Sequence, residues 1–149
     1  MITLVRTAVL LSACLVVGAD SAFAADIAVV VNKDNPVTVL SAQDVRRLYQ
    51  GRQKLWDSGA QVVLLLPPLD SAALDALSKR ILAVRGPGAV ASYYLRAIFE
   101  GRLVAMPTRT EGPADAVAKV GRHRGAIVLL DRLHIPRGGA VRIIDVDGL

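Results

Sequence analysis

The chain has 149 residues, of which 53% are hydrophobic and 21% charged, and a formal net charge of +5 at neutral pH. Those proportions exclude a disordered chain, and the single cysteine, Cys14, excludes a disulfide framework. Aromatic residues are only 4%, so Ala, Val, Leu and Ile must fill any core, and the basic residues are interspersed with acids, which reads as a solvated face suited to anions or an acidic partner rather than a nucleic-acid site.

The elements follow in chain order. Arg6 supplies a positive start, Thr7 to Val17 a short apolar run, and Ala22-Phe23-Ala24 a small-x-small cleavage site, so residues 1–24 read as a secretory signal peptide and residues 25–149 as one domain. The apolar run is too short to span a bilayer. Leu11-Ser12-Ala13-Cys14 offers a competing reading, a lipoprotein box with Cys14 acylated, although Leu15-Val16-Val17 stands where a polar tether is usual. Either way the destination is periplasmic or secreted.

Asp26 to Asn32 is an uninterrupted β-branched run and a buried-strand candidate. Asn35-Pro36 turns the chain. Ser41 then heads a capping pattern with Asp44 three residues on, Val45, Leu48 and Tyr49 share a helical face, and Gly51 ends that helix. Gln61 to Leu66 forms a second strand, stopped by Pro67-Pro68. Asp70 or Ser71 caps the next helix, striped by Leu74, Leu77, Ile81 and Val84. After Gly86-Pro87 a further helix carries Val90, Tyr94 and Ile98 to about Phe99. Leu103 to Met106 is either a short strand or a loop. Thr110 caps another helix with Pro113 in its first turn and Ala114, Val117, Ala118 and Gly121 facing inward. Gly125 to Leu130 is a third strong strand, and Val141 to Val146 a final one. Apolar strands separated by amphipathic helices predict an α/β domain, its sheet of about four strands covered by helices on both faces.

Four of these stretches, in this order, resemble a known family. Leu40-Ser41 with Leu48-Tyr49-Gln50-Gly51 and Trp56, the strand Gln61 to Leu66 with Ser71, Tyr94 to Gly101, and Gly125-Ala126-Ile127 are similar to segments of periplasmic phosphate-binding proteins, the solute receptors of ABC phosphate importers. Those receptors hold solute between two lobes, and this chain has length for one. The resemblance implies a single lobe of a type 2 periplasmic binding protein-like fold, with export, a small anion such as phosphate as ligand, a membrane transporter or sensor as partner, and a homodimer as one way to complete a cleft.

An anion receptor needs helix N-termini with hydroxyl donors beside them. The candidates here are Ser41, Ser71 and Thr110. Ser71 stands where the family has the serine of a glycine-flanked turn, but Asp70 precedes it and Ala72-Ala73 follow, and a carboxylate there repels phosphate. Trp56 reads as a packed anchor, Arg46, Arg47 and Arg52 as a solvated face, and Arg96 as the partner of an acid. His123 and His134 lack metal-ligand spacing, and no nucleophile elbow is present, so no catalytic residue, metal or cofactor is expected. A Ser/His/Asp hydrolase assembled from distant residues is the least favoured alternative. Two functions remain: an accessory solute binder for ABC-type uptake, or an envelope interaction or sensory module that keeps the fold and has lost its ligand.

Overall fold

A computed structural model describes residues 26–149. The signal peptide expected over residues 1–24, and with it Cys14, lies outside the described residues. The strands are β1 (Ile27–Asn32), β2 (Val63–Leu66), β3 (Thr108–Arg109), β4 (Ala126–Asp131) and β5 (Val141–Ile144). The helices are α1 (Ala42–Tyr49), α2 (Ala72–Ala76), α3 (Val90–Phe99) and α4 (Pro113–Arg122). A wide π turn, Leu77–Ile81, continues α2, and short 3-10 turns at Pro87–Ala89 and Arg132–His134 precede α3 and follow β4.

One sheet holds all five strands in the order β3-β2-β4-β1-β5. β2 runs parallel to both β3 and β4, whereas β1 is antiparallel to both β4 and β5. Four strands match the expected apolar runs. The fifth, β3, is two exposed residues pairing Leu65 with Thr108 and Leu66 with Arg109, two residues beyond the expected Leu103–Met106. β2 starts at Val63 rather than Gln61, because Gln61 and Val62 are drawn into a small antiparallel loop against Leu55 and Lys54.

Alternation along the strands divides the core in two. Val29, Val31, Leu64, Leu66, Ile127 and Leu129 face α1, α2 and α3; Val30, Leu65, Val128 and Leu130 face α4. With helices on both sides no strand position in the centre needs to be polar, so β1 is buried at all six residues. The stripe expected on α4 is shifted. Ala116 and Val120 are buried while Ala114 and Ala118 are exposed. Two stripes at helical spacing compete there, each with one valine; Ala116 and Val120 face the sheet, and Val117 of the expected stripe packs half-buried at their flank.

Buried polar groups tie the layers together. The Tyr49 hydroxyl donates to Leu65 O at 2.9 Å and Ile127 O at 3.3 Å, joining α1 to two neighbouring strands, and the Tyr94 hydroxyl donates to Tyr49 O at 3.1 Å. Burial pushes both hydroxyls well above the usual tyrosine range, so both stay neutral. The Asn32 amide donates to Val120 O and Gly121 O and closes the end of α4.

Candidate functional site

Strand directions decide which candidates can meet. β2 and β4 are parallel and end together, so Pro67-Pro68, the start of α2, the start of α4 and Asp131 collect at one end of the sheet. β1 is reversed, so Ser41, which follows it, lies at the opposite end beside Asn35–Leu40 and the Trp56 loop. The structure therefore brings Ser71 and Thr110 to one edge and leaves Ser41 apart.

Ser41 is the N-cap of α1. Its Oγ accepts from the Asp44 N–H at 3.1 Å and donates to Asp44 Oδ2 at 2.8 Å, and its own N–H donates to the same carboxylate at 2.9 Å. The capping box expected from the sequence is complete. Asp44 is held below the usual carboxylate range, first by the Ser41 N–H, then by the Ser41 hydroxyl and the Arg47 cation.

Ser71 is the N-cap of α2. Its Oγ accepts from the Leu74 N–H at 3.1 Å and donates to Pro68 O at 2.6 Å. Asp70 before it sits at φ 59°, left-handed backbone that Asp tolerates better than most residues. Thr110 is not a cap. α4 begins at Pro113 with Gly112 as N-cap, and Thr110 is buried, its hydroxyl donating to Leu66 O at 2.7 Å. The expected cap fails because the chain is still adding itself to the end of β2 at that position, which takes the hydroxyl into the sheet edge.

The cleft at this end has a volume of about 370 Å³. Pro68, Leu69 and Pro113 make its apolar wall, and Asp70, Glu111 and Asp131 bring three carboxylates. His134 adds an imidazole 3.4 Å from Asp131. Inside the helices the pattern repeats: Asp44, Asp75 and Asp115 occupy the first turns of α1, α2 and α4. Asp115 accepts from Lys119 at 2.8 Å and from the Glu111 N–H at 3.0 Å, contacts that hold its carboxyl below the usual range in that order. The positive ends of α1, α2 and α4 are thus each met by a carboxylate of the same chain, whereas α3 has none in its first turn.

Trp56 is the packed anchor expected, buried with its indole N–H donating to Gly125 O at 2.9 Å. Arg46, Arg47 and Arg52 are exposed as expected. Arg96 does not find the acid expected for it among the described residues, whereas Arg102 pairs with Glu100 at 2.7 Å and lies over the Tyr93 ring. Sequence reasoning missed the convergence of Glu111 and Asp131 on Asp70. Only the strand order brings them together.

No protein-family model matches the sequence, and no curated protein matches it. Solved structures do. A Clostridium perfringens protein described as a phosphate ABC transporter substrate-binding protein, with bound phosphate, superposes at a TM-score of 0.59 with 20% identity, covering 83% of this chain and 46% of its own. An ABC-type phosphate transport receptor from Vibrio cholerae gives 0.55 and 14%, covering 83% and 47%. A phosphate-binding protein from Stenotrophomonas maltophilia gives 0.56 and 15%, covering 84% and 40%. The chain shares its fold with phosphate-binding proteins. It spans less than half the length of each. The single α/β lobe implied by the sequence is therefore the observed architecture, and the neighbours it resembles are solute-binding proteins.

Proposed function

We propose that this chain is an exported, non-catalytic binding module that keeps one lobe of the phosphate-receptor fold and works by docking onto another envelope protein, a membrane transporter or sensor. The carrying observation is the state of the donors. The hydroxyls of Ser41, Ser71 and Thr110 each donate within the chain, and α1, α2 and α4 each carry an aspartate in the first turn. A phosphate entering the Ser71 cleft would meet the carboxylates of Asp70, Glu111 and Asp131, and repulsion between like charges in a partly desolvated cleft outweighs a helix-end contribution of about 0.3–1 kcal/mol. Export rests on the leader pattern of residues 1–24.

The second reading is a small-anion binder, phosphate or a similar oxyanion, accessory to ABC-type uptake. What favours it is that Ser71 and the start of α4 share one cleft in a fold whose neighbours include a phosphate-bound structure. That reading needs a second copy facing the first to supply donors. Isothermal titration of the domain with phosphate and sulfate separates the two. Docking predicts no heat and no thermal shift at millimolar anion. Saturable binding of phosphate, or dimerisation driven by it, overturns the docking reading.

A further inference from the structure

The surface least consistent with a free-standing monomer lies at the other end of the sheet from the Ser71 cleft. β3 covers only Leu65 and Leu66, so the first half of β2 borders an open groove of about 300 Å³. Leu48, Leu64 and Leu103 form its floor, and Val104 and Met106 its far wall. The end of α3 leads by a short turn into the lining residues Arg102–Val104. Phe99 is 89% exposed, Val104 91%, Leu95 50% and Met106 40%. Large apolar side chains gathered like this mark contact surfaces rather than ordinary solvated ones.

The charges around it are one-sided. Its charged lining residues, Lys54 and Arg102, are both cationic, and the flanking segments 50–55 and 95–104 add Arg52 and Arg96 against the single carboxylate Glu100, which Arg102 already pairs. These segments are physically joined: Lys54 reaches Gly101 O at 3.5 Å, and Arg102 donates to Gln50 O at 2.6 Å. The opposite end, with Asp70, Glu111 and Asp131, has the reverse sign.

We infer that this groove is a docking site for a polypeptide segment that carries apolar side chains flanked by carboxylates. The concave slot fits a protruding side chain, which a flat lipid surface cannot supply. The net charge of +5 opposes pairing with a second copy. An acidic segment satisfies both parts of the surface: apolar burial in the groove supplies affinity, and the cationic rim speeds encounter and fixes orientation. The inference rests on the docking reading above and gives that partner its chemistry.

The test uses a displayed library of random peptides selected on the domain, with the consensus peptide then measured by fluorescence anisotropy. The expected consensus places Asp or Glu around aliphatic or aromatic positions. Phe99→Ser and Val104→Ser weaken the consensus peptide by about tenfold or more. Lys54→Glu weakens it most at low salt, and Leu133→Ser, at the other end of the sheet, leaves it unchanged. A consensus without carboxylates overturns the inference. So does binding to anionic phospholipid vesicles in place of peptide, or self-association that Phe99→Ser abolishes. A consensus peptide that ignores both Phe99 and Val104 overturns the groove but leaves the docking reading standing, whereas phosphate binding in the titration above removes that reading first.

Discussion

Tyr49→Phe isolates a single buried hydroxyl, and two conditions test it in opposite directions. The ring is fully buried, and its Oη holds Leu65 O at 2.9 Å and Ile127 O at 3.3 Å, so the variant keeps the shape and loses a donor to two buried carbonyls. At neutral pH that costs about 1–2 kcal/mol. With a urea slope of about 1–2 kcal/mol per molar, the midpoint falls by about 1 M. Trp56, the only tryptophan, is buried and reports unfolding through its fluorescence. Alkaline pH reverses the sign. The folded pKa of Tyr49 is raised above the unfolded value of about 10, so below that pH both states hold the proton and the residue adds no pH dependence. Above it the unfolded chain releases the proton while the folded chain keeps it, and stability falls by about 1.4 kcal/mol per pH unit. The phenylalanine variant has no such proton to release. The two stability curves therefore converge and meet near about pH 11. Tyr94 is shifted in the same direction, first by burial and then by Tyr49 itself, so its burial contribution is common to both proteins while its coupling to Tyr49 is lost in the variant. Equal midpoints at neutral pH, or a gap that stays constant on raising the pH, refutes the account of this hydroxyl.

Three further substitutions test local features. Gly125→Ala places a methyl 1.8 Å from Gln61 O, a backbone atom, so it is expected to cost about 3 kcal/mol or more and to lower the melting temperature in calorimetry. Asp44→Asn removes the carboxylate of the α1 capping box and is expected to cost about 1 kcal/mol at neutral pH; because the folded pKa of Asp44 is depressed, the wild type loses this contribution as the pH falls through that value, so the acid limb of the variant's stability curve is shallower. Ala83→Gly relieves a left-handed backbone at φ 55° and is expected to raise stability by about 0.5–1 kcal/mol in urea unfolding; a decrease would show that the turn is not strained.

What the sequence made legible was local. Ser41 with Asp44 and Ser71 with Leu74 are decided within one turn of chain, and both caps formed as their spacing implied. The apolar runs of β1, β2 and β4 declared themselves because burial on both faces removes polar residues from the pattern, whereas β5 is a half-exposed edge strand that carries Arg142. β3 was placed only roughly, at Leu103–Met106 and as strand or loop, since two exposed residues have no periodicity. On α4 two equivalent stripes were available, and packing against Val30 and Val128 rather than spacing chose between them. Thr110 defeats a local reading because its hydroxyl is claimed by Leu66, a residue far away in the sequence. The Ser71 end of the sheet was the least legible: Asp70 was visible as a departure from an anion site, but the company of Glu111 and Asp131 depends on β2 and β4 ending side by side.

The placement of β1 has a consequence for how the molecule comes into being. Among the described residues, 27–32 pair only with 127–131 and 141–144, so this early strand stays without those neighbours until nearly the whole chain exists. Such high contact order slows closure of the sheet. The export proposed above would benefit from that delay, because the seam that locks the domain is the last to be sewn.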